Sequence, residues 1–323
     1  DTGGQPRESL RTVYGRIDQD IDRAIELLEK ARETTLAENN KSHINLYVAL
    51  GIKSRACLAE GDWDGAFKAA KRVIDEGGYA VGTKSDLTSG MNSLDKQNVM
   101  WGAGIQVADQ AGGYAGFFTH MDNKEGAYAK SAPKLISKQL YNRISATDIR
   151  RDWWDPSDKE SPYVSKKFSF ANVASFLGDY IYMRVEEMYF TAAEAALRLD
   201  DLKSARELMN TVMAERDPGY SANNRSGTLL GATTTTWTGS FLENILTHRR
   251  IELWGEYGRL FDVRRLGQGI DRRTDDGFSE ECISMMNRRN VNITKADTYD
   301  WVLTIPKAEL DANPNINVED QNP

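Results

Sequence analysis

Two stretches of this sequence, 139 residues apart (Ala205 minus Ala66), require the same pair of helices, and that repeat constrains the fold more than any other feature. In the first copy, Leu46, Ala49, Leu50, Lys53 and Cys57 recur at helical spacing behind Ser42, a residue type that caps helix N-termini. Gly61-Asp62 breaks that helix, Ala66, Ala69, Ala70, Val73 and Ile74 mark its partner, and Gly77-Gly78 ends the pair. In the second copy Cys57-Leu58 falls on Ala196-Leu197, Ala66 on Ala205, Val73 on Val212 and Ile74 on Met213. Small residues therefore land where paired helices touch, the grammar of tetratricopeptide-like hairpins. Because the copies are not tandem, an insertion interrupts the superhelix, and function is to be sought there.

A longer amphipathic helix precedes the first hairpin, with Leu10, Val13, Ile17, Ile21, Ala24, Ile25 and Leu28 three or four apart. Beyond the hairpin the pattern changes. Asn98 to Ile105 reads as a short strand, followed by an irregular loop in which Gly112, Gly113 and Gly116 alternate with Tyr114, Phe117 and Phe118. A further loop, Asn223 to Thr238, is rich in Gly, Ser and Thr and carries Trp237. Phe241 to Trp254 is expected to be helical, and Trp301 to Ile305 alternates like a strand before Pro306. The fold class is thus mainly α: tetratricopeptide-like helical hairpins with a loop-rich insertion and a few short strands.

Composition closes off several functions. A chain of 323 residues, 40% hydrophobic and 9% aromatic, can build a real core. Its net charge of −7 opposes a nucleic-acid surface, which needs clustered positive charge. Cys57 and Cys282 are read as two unpaired thiols, and no stretch approaches the roughly 20 apolar residues of a membrane span. The three histidines, His43, His120 and His248, lack metal-ligand spacing, and no nucleophile elbow, P-loop or dinucleotide fingerprint occurs. No catalytic residue, metal or cofactor is therefore expected. A glycosidase needs only two suitably placed carboxylates, so with 48 acidic residues it stands as the enzymatic alternative. Glu186-Glu187 and Asp200-Asp201 do not support it: on predicted hairpin helices consecutive acids diverge, and a solvated face is expected.

Three further segments carry a resemblance. The first is Met183-Arg184-Val185-Glu186-Glu187-Met188-Tyr189 running to Ala192-Ala193-Glu194-Ala195. The second is His248-Arg249-Arg250-Ile251-Glu252-Leu253 with Gly255-Glu256, Arg259, Asp262 and Arg264-Arg265-Leu266-Gly267. The third is Ile305-Pro306-Lys307-Ala308-Glu309 with Asn313-Pro314 and Gln321-Asn322-Pro323. In that order they resemble the SusD/RagB family, the surface glycan-binding components of Bacteroidetes polysaccharide utilisation systems. Asp148-Ile149-Arg150 and Lys166-Lys167-Phe168 match further family elements, whereas His248 stands where the family often has Glu.

The resemblance implies one domain over 1–323 lacking its N-terminal part, with a helical scaffold at about 9–80 and 180–216. Loop-rich binding regions are expected at about 98–179 and 217–240, and the C-terminal motifs at about 241–323. It further implies capture of an oligosaccharide and its transfer to a TonB-dependent, SusC-like outer-membrane transporter. The native precursor would then be longer and held at the cell surface by a lipid anchor absent from this chain. A helical-repeat adaptor for peptides or proteins is the alternative in another class. Arg249, Glu252, Glu256 and Arg259 lie three or four apart and are expected to form structural ion pairs with neighbouring segments.

For binding, loop aromatics are the clue, because a sugar presents an apolar C–H face to a flat ring while its hydroxyls seek polar partners. Tyr114, Phe117 and Phe118, with His120, Asp122 and Asn123 just downstream, are the densest such mixture, and Trp237 is a second candidate. Trp153 and Trp154 are expected to pack inside.

Overall fold

The computed structural model of the chain describes residues 4–34, 40–109, 116–225, 239–268 and 303–322. Helix α1 (Leu10–Thr34), whose Thr12 amide donates to the Ser9 hydroxyl, packs on α2 (Leu46–Glu60), and α2 pairs with α3 (Trp63–Glu76). The chain then leaves the stack. It passes through α4 (Lys84–Leu87), β1 (Val99–Ala103), α5 (Phe117–Met121), α6 (Ala127–Ser131), α7 (Lys138–Tyr141), β2 (Trp154–Asp155), β3 (Val164–Ser165) and β4 (Tyr180–Arg184). It returns as the second hairpin, α8 (Val185–Arg198) and α9 (Leu202–Ala214), with α8 packed directly on α3. The insertion is therefore looped out of a continuous helical stack. Helix α10 (Phe241–Glu252) covers α8, followed by α11 (Arg259–Arg265) and α12 (Lys307–Ala312).

The two hairpins turn by the same chemistry. Gly61 (φ +83°) and Asp200 (φ +63°) both take the left-handed conformation. The next residues, Asp62 and Asp201, each cap a helix by accepting an amide hydrogen bond, from Gly65 and Ser204, at 3.0 Å. Their own amides donate to the Cys57 and Ala196 carbonyls at 2.9 Å. Every one of these four pairs obeys the offset of 139, so the repeat extends to individual hydrogen bonds. Between the hairpins Ala66, Ala69, Ala70, Ala192, Ala193, Ala196 and Ala205 are buried, which lets the helices approach closely. Met188, Phe190, Met209, Val212, Met213 and Ile245 fill the core they enclose, each full burial contributing about 1.5–3 kcal/mol.

Local differences from the sequence reading have physical reasons. Asn45, not Ser42, caps α2 by accepting from the Val48 amide at 2.9 Å; a turn over Asn40–His43 delays the helix, and the Ser42 hydroxyl accepts from Gly104 instead. On α1, Ile21, Ile25 and Leu28 reach the core, but Leu10 and Val13 are 72% and 44% exposed, because α2 supports only the later turns. Residues 180–184, grouped above with the helical scaffold, are β4, which pairs antiparallel with β1 through Val99–Arg184, Gly102–Ile181 and Ala103–Tyr180. Leu303 to Ile305 adopts no regular element, and Trp301 lies outside the described residues.

The third motif segment works as a clasp. The Gln321 carboxamide accepts from the Ile305 amide (2.7 Å) and donates to its carbonyl (2.9 Å), as a neighbouring strand would. Asn313 donates to the Gln5 carbonyl at 2.9 Å, tying the two chain ends together.

Candidate functional site

The insertion is fixed to the scaffold by a buried polyion cluster. Glu252, at the end of α10, accepts from Arg150 (3.2 Å), Arg184 (3.0 Å) and Arg216 (3.0 and 3.1 Å), and all four side chains are fully buried. Arg184, the last residue of β4, also forks onto Glu256. Lys167 donates to the Glu252 and Trp254 carbonyls (2.7 and 2.8 Å) and to Glu256 (2.5 Å). Arg216 reaches Glu186 at 2.8 Å, and Arg150 reaches Asp148 at 2.6 Å. The other Glu186 oxygen lies 3.1 Å from Arg184, a charge contact outside hydrogen-bond geometry.

Burial pushes the Glu252 carboxyl up, but Arg216, Arg184 and Arg150 outweigh it and hold the group well below its ordinary range. Burial pushes Lys167 down to about 8 despite the upward pull of Glu256. Burial, reinforced by Arg150, drives His248 well below its usual value, so the ring is neutral and its Nδ1 accepts from Arg150 at 2.8 Å. A neutral imidazole serves this pocket better than a glutamate would, since Glu252 and Asp148 already supply its negative charge.

Arg249 and Glu252 pair with neighbouring segments rather than with each other, as expected: Arg249 holds Asp262 at 3.0 Å. The Glu186-Glu187 reading is corrected. Both are buried, Glu187 on a bidentate Arg55 at 2.9 and 2.6 Å, because the first turn of α8 faces guanidinium groups brought from distant segments.

A chain of aromatic rings runs from this cluster into the insertion. Lys167 Nζ lies 4.5 Å from the Trp153 ring centroid and 5.1 Å from that of Phe168. Phe168 meets Phe117 edge-on at 5.3 Å, Phe117 meets Phe118 at 5.2 Å, and Phe118 meets Phe170 at 5.7 Å. Phe118 is 1% exposed and spent on this core, so a sugar could reach it only if the core opened, whereas Phe117 is half-buried. Trp153 and Trp154 are buried, as expected.

Asp122 and Asn123 brace the loop. The Asp122 carboxylate accepts from the Lys124, Glu125 and Phe170 amides at 3.0 Å. The Asn123 carboxamide accepts from the Lys134 amide (2.8 Å) and donates to the Ser165 carbonyl (2.7 Å). His120 alone of the described candidates is exposed. Tyr114 and Trp237 lie outside the described residues.

His120 has a partner that the sequence did not single out. Its ring stacks on Tyr128, centroids 4.6 Å apart and planes 2° from parallel. Tyr128 is 37% exposed. Gly126 makes the approach possible: α6 folds back on α5 so tightly that a Cβ there would sit 2.5 to 2.7 Å from the Thr119, Asp122 and Phe118 carbonyls. That glycine between two aromatic-bearing segments was the available signal. The result is a face-to-face stack of two exposed, polar-edged rings on a frame braced by Asp122 and Asn123, in which an outer ring face can stack against a sugar. Among the described residues no group of three His, Cys, Asp or Glu could hold a metal ion, and no helix is long and apolar enough to cross a membrane.

No curated protein sequence matches this chain. Solved structures do. A crystal structure of a SusD-like carbohydrate binding protein from Bacteroides vulgatus superposes with a TM-score of 0.77 and 26% identity, covering 99% of this chain and 68% of that one. A SusD superfamily protein from Bacteroides thetaiotaomicron gives 0.76 and 23%, covering 100% of this chain and 68% of its own. Surface glycan-binding protein A from Bacteroides uniformis shares the fold at 0.64 and 17%, covering 98% of this chain and 70% of its own. The model of the SusD family matches residues 119–323, a span that holds the polyion cluster, the aromatic pair and the terminal clasp. On that match, this chain belongs to the SusD family.

Proposed function

We propose that this chain binds an oligosaccharide at the cell surface and delivers it to a TonB-dependent, SusC-like outer-membrane transporter, without catalysing a reaction on it. The observation that carries the reading is the family match over residues 119–323, which includes most of the insertion. The 26%-identical structure described as a SusD-like carbohydrate binding protein supports it. In this reading the regions 98–179 and 217–240 form the binding face, with His120 and Tyr128 offering their stacked rings to a sugar. The hairpins and polyion cluster support the described part of that face. In this reading a lipid anchor keeps the protein on the outer membrane.

A glycan array run beside a peptide library tests the reading, with reducing ends assayed on every retained glycan. Retention of one glycan class without new reducing ends is expected. Retention of peptides alone would replace it with an adaptor role. Release of reducing ends that vanished on mutating one carboxylate would make the protein a hydrolase.

A further inference from the structure

The loop between Ala171 and Gly178 carries a bulky residue in a conformation that glycine is suited to. Phe176 has φ +53°, in the left-handed region, and the residue is 49% exposed. Neither condition favours folding, yet the loop enforces both. Asn172 and Leu177 exchange backbone hydrogen bonds (2.9 and 3.1 Å), Ala171 adds a third to the Leu177 carbonyl (2.8 Å), and the Phe176 amide donates to Val173 (3.3 Å). The Asn172 side-chain oxygen accepts from the Ser175 amide at 3.3 Å, fixing the carboxamide in place.

The ring has a contact on the core. Phe176 meets Phe170 edge-on at 5.8 Å, and Phe170 rests on Phe118, the core ring of the helix that presents His120. The chain leaves the loop across Phe118 through Gly178, where a Cβ would lie 2.4 Å from that ring. Asp179 then accepts from the Leu94 and Ile105 amides at 2.9 and 3.1 Å, bracing the exit. Backbone strain at a residue whose aromatic side chain rests on the core on one side and stays half exposed is the pattern of a preorganised contact residue.

We propose that the loop from Asn172 to Leu177 is a sugar-stacking subsite, in which the Phe176 ring takes the apolar face of a pyranose and the Asn172 carboxamide bonds its hydroxyls. The inference rests on the oligosaccharide-binding reading and adds a second contact region on the same aromatic core. Val173, 45% exposed, is the only other large apolar side chain exposed on the loop, an area that fits one sugar ring and falls far short of a protein interface.

Phe176→Gly separates the ring from the fold, because glycine adopts the left-handed conformation freely. With a glycan retained by the wild-type protein, calorimetric titration should show affinity reduced at least fivefold in Phe176→Gly. Its melting temperature should equal or exceed that of the wild type, and Phe176→Tyr should keep the affinity. Equal affinity in Phe176→Gly and the wild type would overturn the subsite while leaving the oligosaccharide reading intact. A lowered melting temperature in Phe176→Gly, with affinity lost in Phe176→Tyr as well, would assign the ring a structural role and also overturn it. A wild-type protein that retained no glycan would remove the oligosaccharide reading and the subsite with it.

Discussion

Arg184 and Glu256 face each other through two parallel hydrogen bonds, Nε to Oε2 and Nη2 to Oε1, both 2.8 Å. This fork bolts the end of β4 to the turn after α10, and Glu252 extends it to Arg150 and Arg216. Removing one member leaves the others charged and buried. Glu252→Gln is expected to cost about 3–5 kcal/mol in urea unfolding. Arg184→Lys keeps the charge but loses the planar fork, and about 1.5–3 kcal/mol is expected for it.

The same cluster sets the response to pH. Burial raises Glu256, Glu194 and Asp262, but in each the adjacent cations win, Arg184 and Lys167 at Glu256 and guanidinium groups at the other two, and the carboxyl is lowered, as in Glu252. A carboxylate whose folded value lies below its unfolded one contributes stability fully present above the ordinary 4.5 of a glutamate and lost as pH falls through the folded value. Melting temperature should therefore fall steadily from about pH 5 downward, and Glu256→Gln should flatten that limb. Lys167 acts on the alkaline side. Lowered from 10.5 to about 8, it binds its proton less tightly folded than unfolded, so its contribution to stability rises with pH across that window. Lys167→Met should abolish that rise.

The duplicated turn allows a reciprocal test. Asp200 occupies, at φ +63°, the place that Gly61 fills in the first hairpin. Asp200→Gly should raise stability by about 0.5–1 kcal/mol, and Gly61→Ala should lower it by about 1–2 kcal/mol. Opposite shifts in melting temperature are expected; shifts of the same sign would contradict the equivalence of the two turns.

What the sequence made legible was local. The two hairpins could be aligned because Cys57-Leu58 and Ala196-Leu197, like Ala66 and Ala205, sit in runs of helical spacing; Asp200-Asp201, read as part of the hairpin helices, is instead the turn and cap between α8 and α9. Ion pairing by Arg249 and Glu252 was expected, but their partners Asp262, Arg150, Arg184 and Arg216 lie on other segments, which spacing on α10 does not identify. Glu186 and Glu187 misled, because their partners Arg216 and Arg55 are 30 and 132 residues away, and no local pattern announces them. The segment Phe117–Met121 divides in the same way. Phe118 and His120 are two residues apart, one buried and one exposed, on a five-residue helix too short for its period to show which side faces inward. Phe176 carried no signal at all, since its conformation is imposed by the Asn172–Leu177 pairing.

Calorimetric titration of a retained glycan against Tyr128→Ala, His120→Ala and Phe118→Ala, with thermal melting of the same proteins, tests the binding account most directly. Tyr128→Ala and His120→Ala should each lose about 1–3 kcal/mol of binding while melting like the wild type. Phe118→Ala should instead lose about 3–5 kcal/mol of stability, as a core ring does. Wild-type affinity in both Tyr128→Ala and His120→Ala would contradict the claim that the stacked pair receives the sugar.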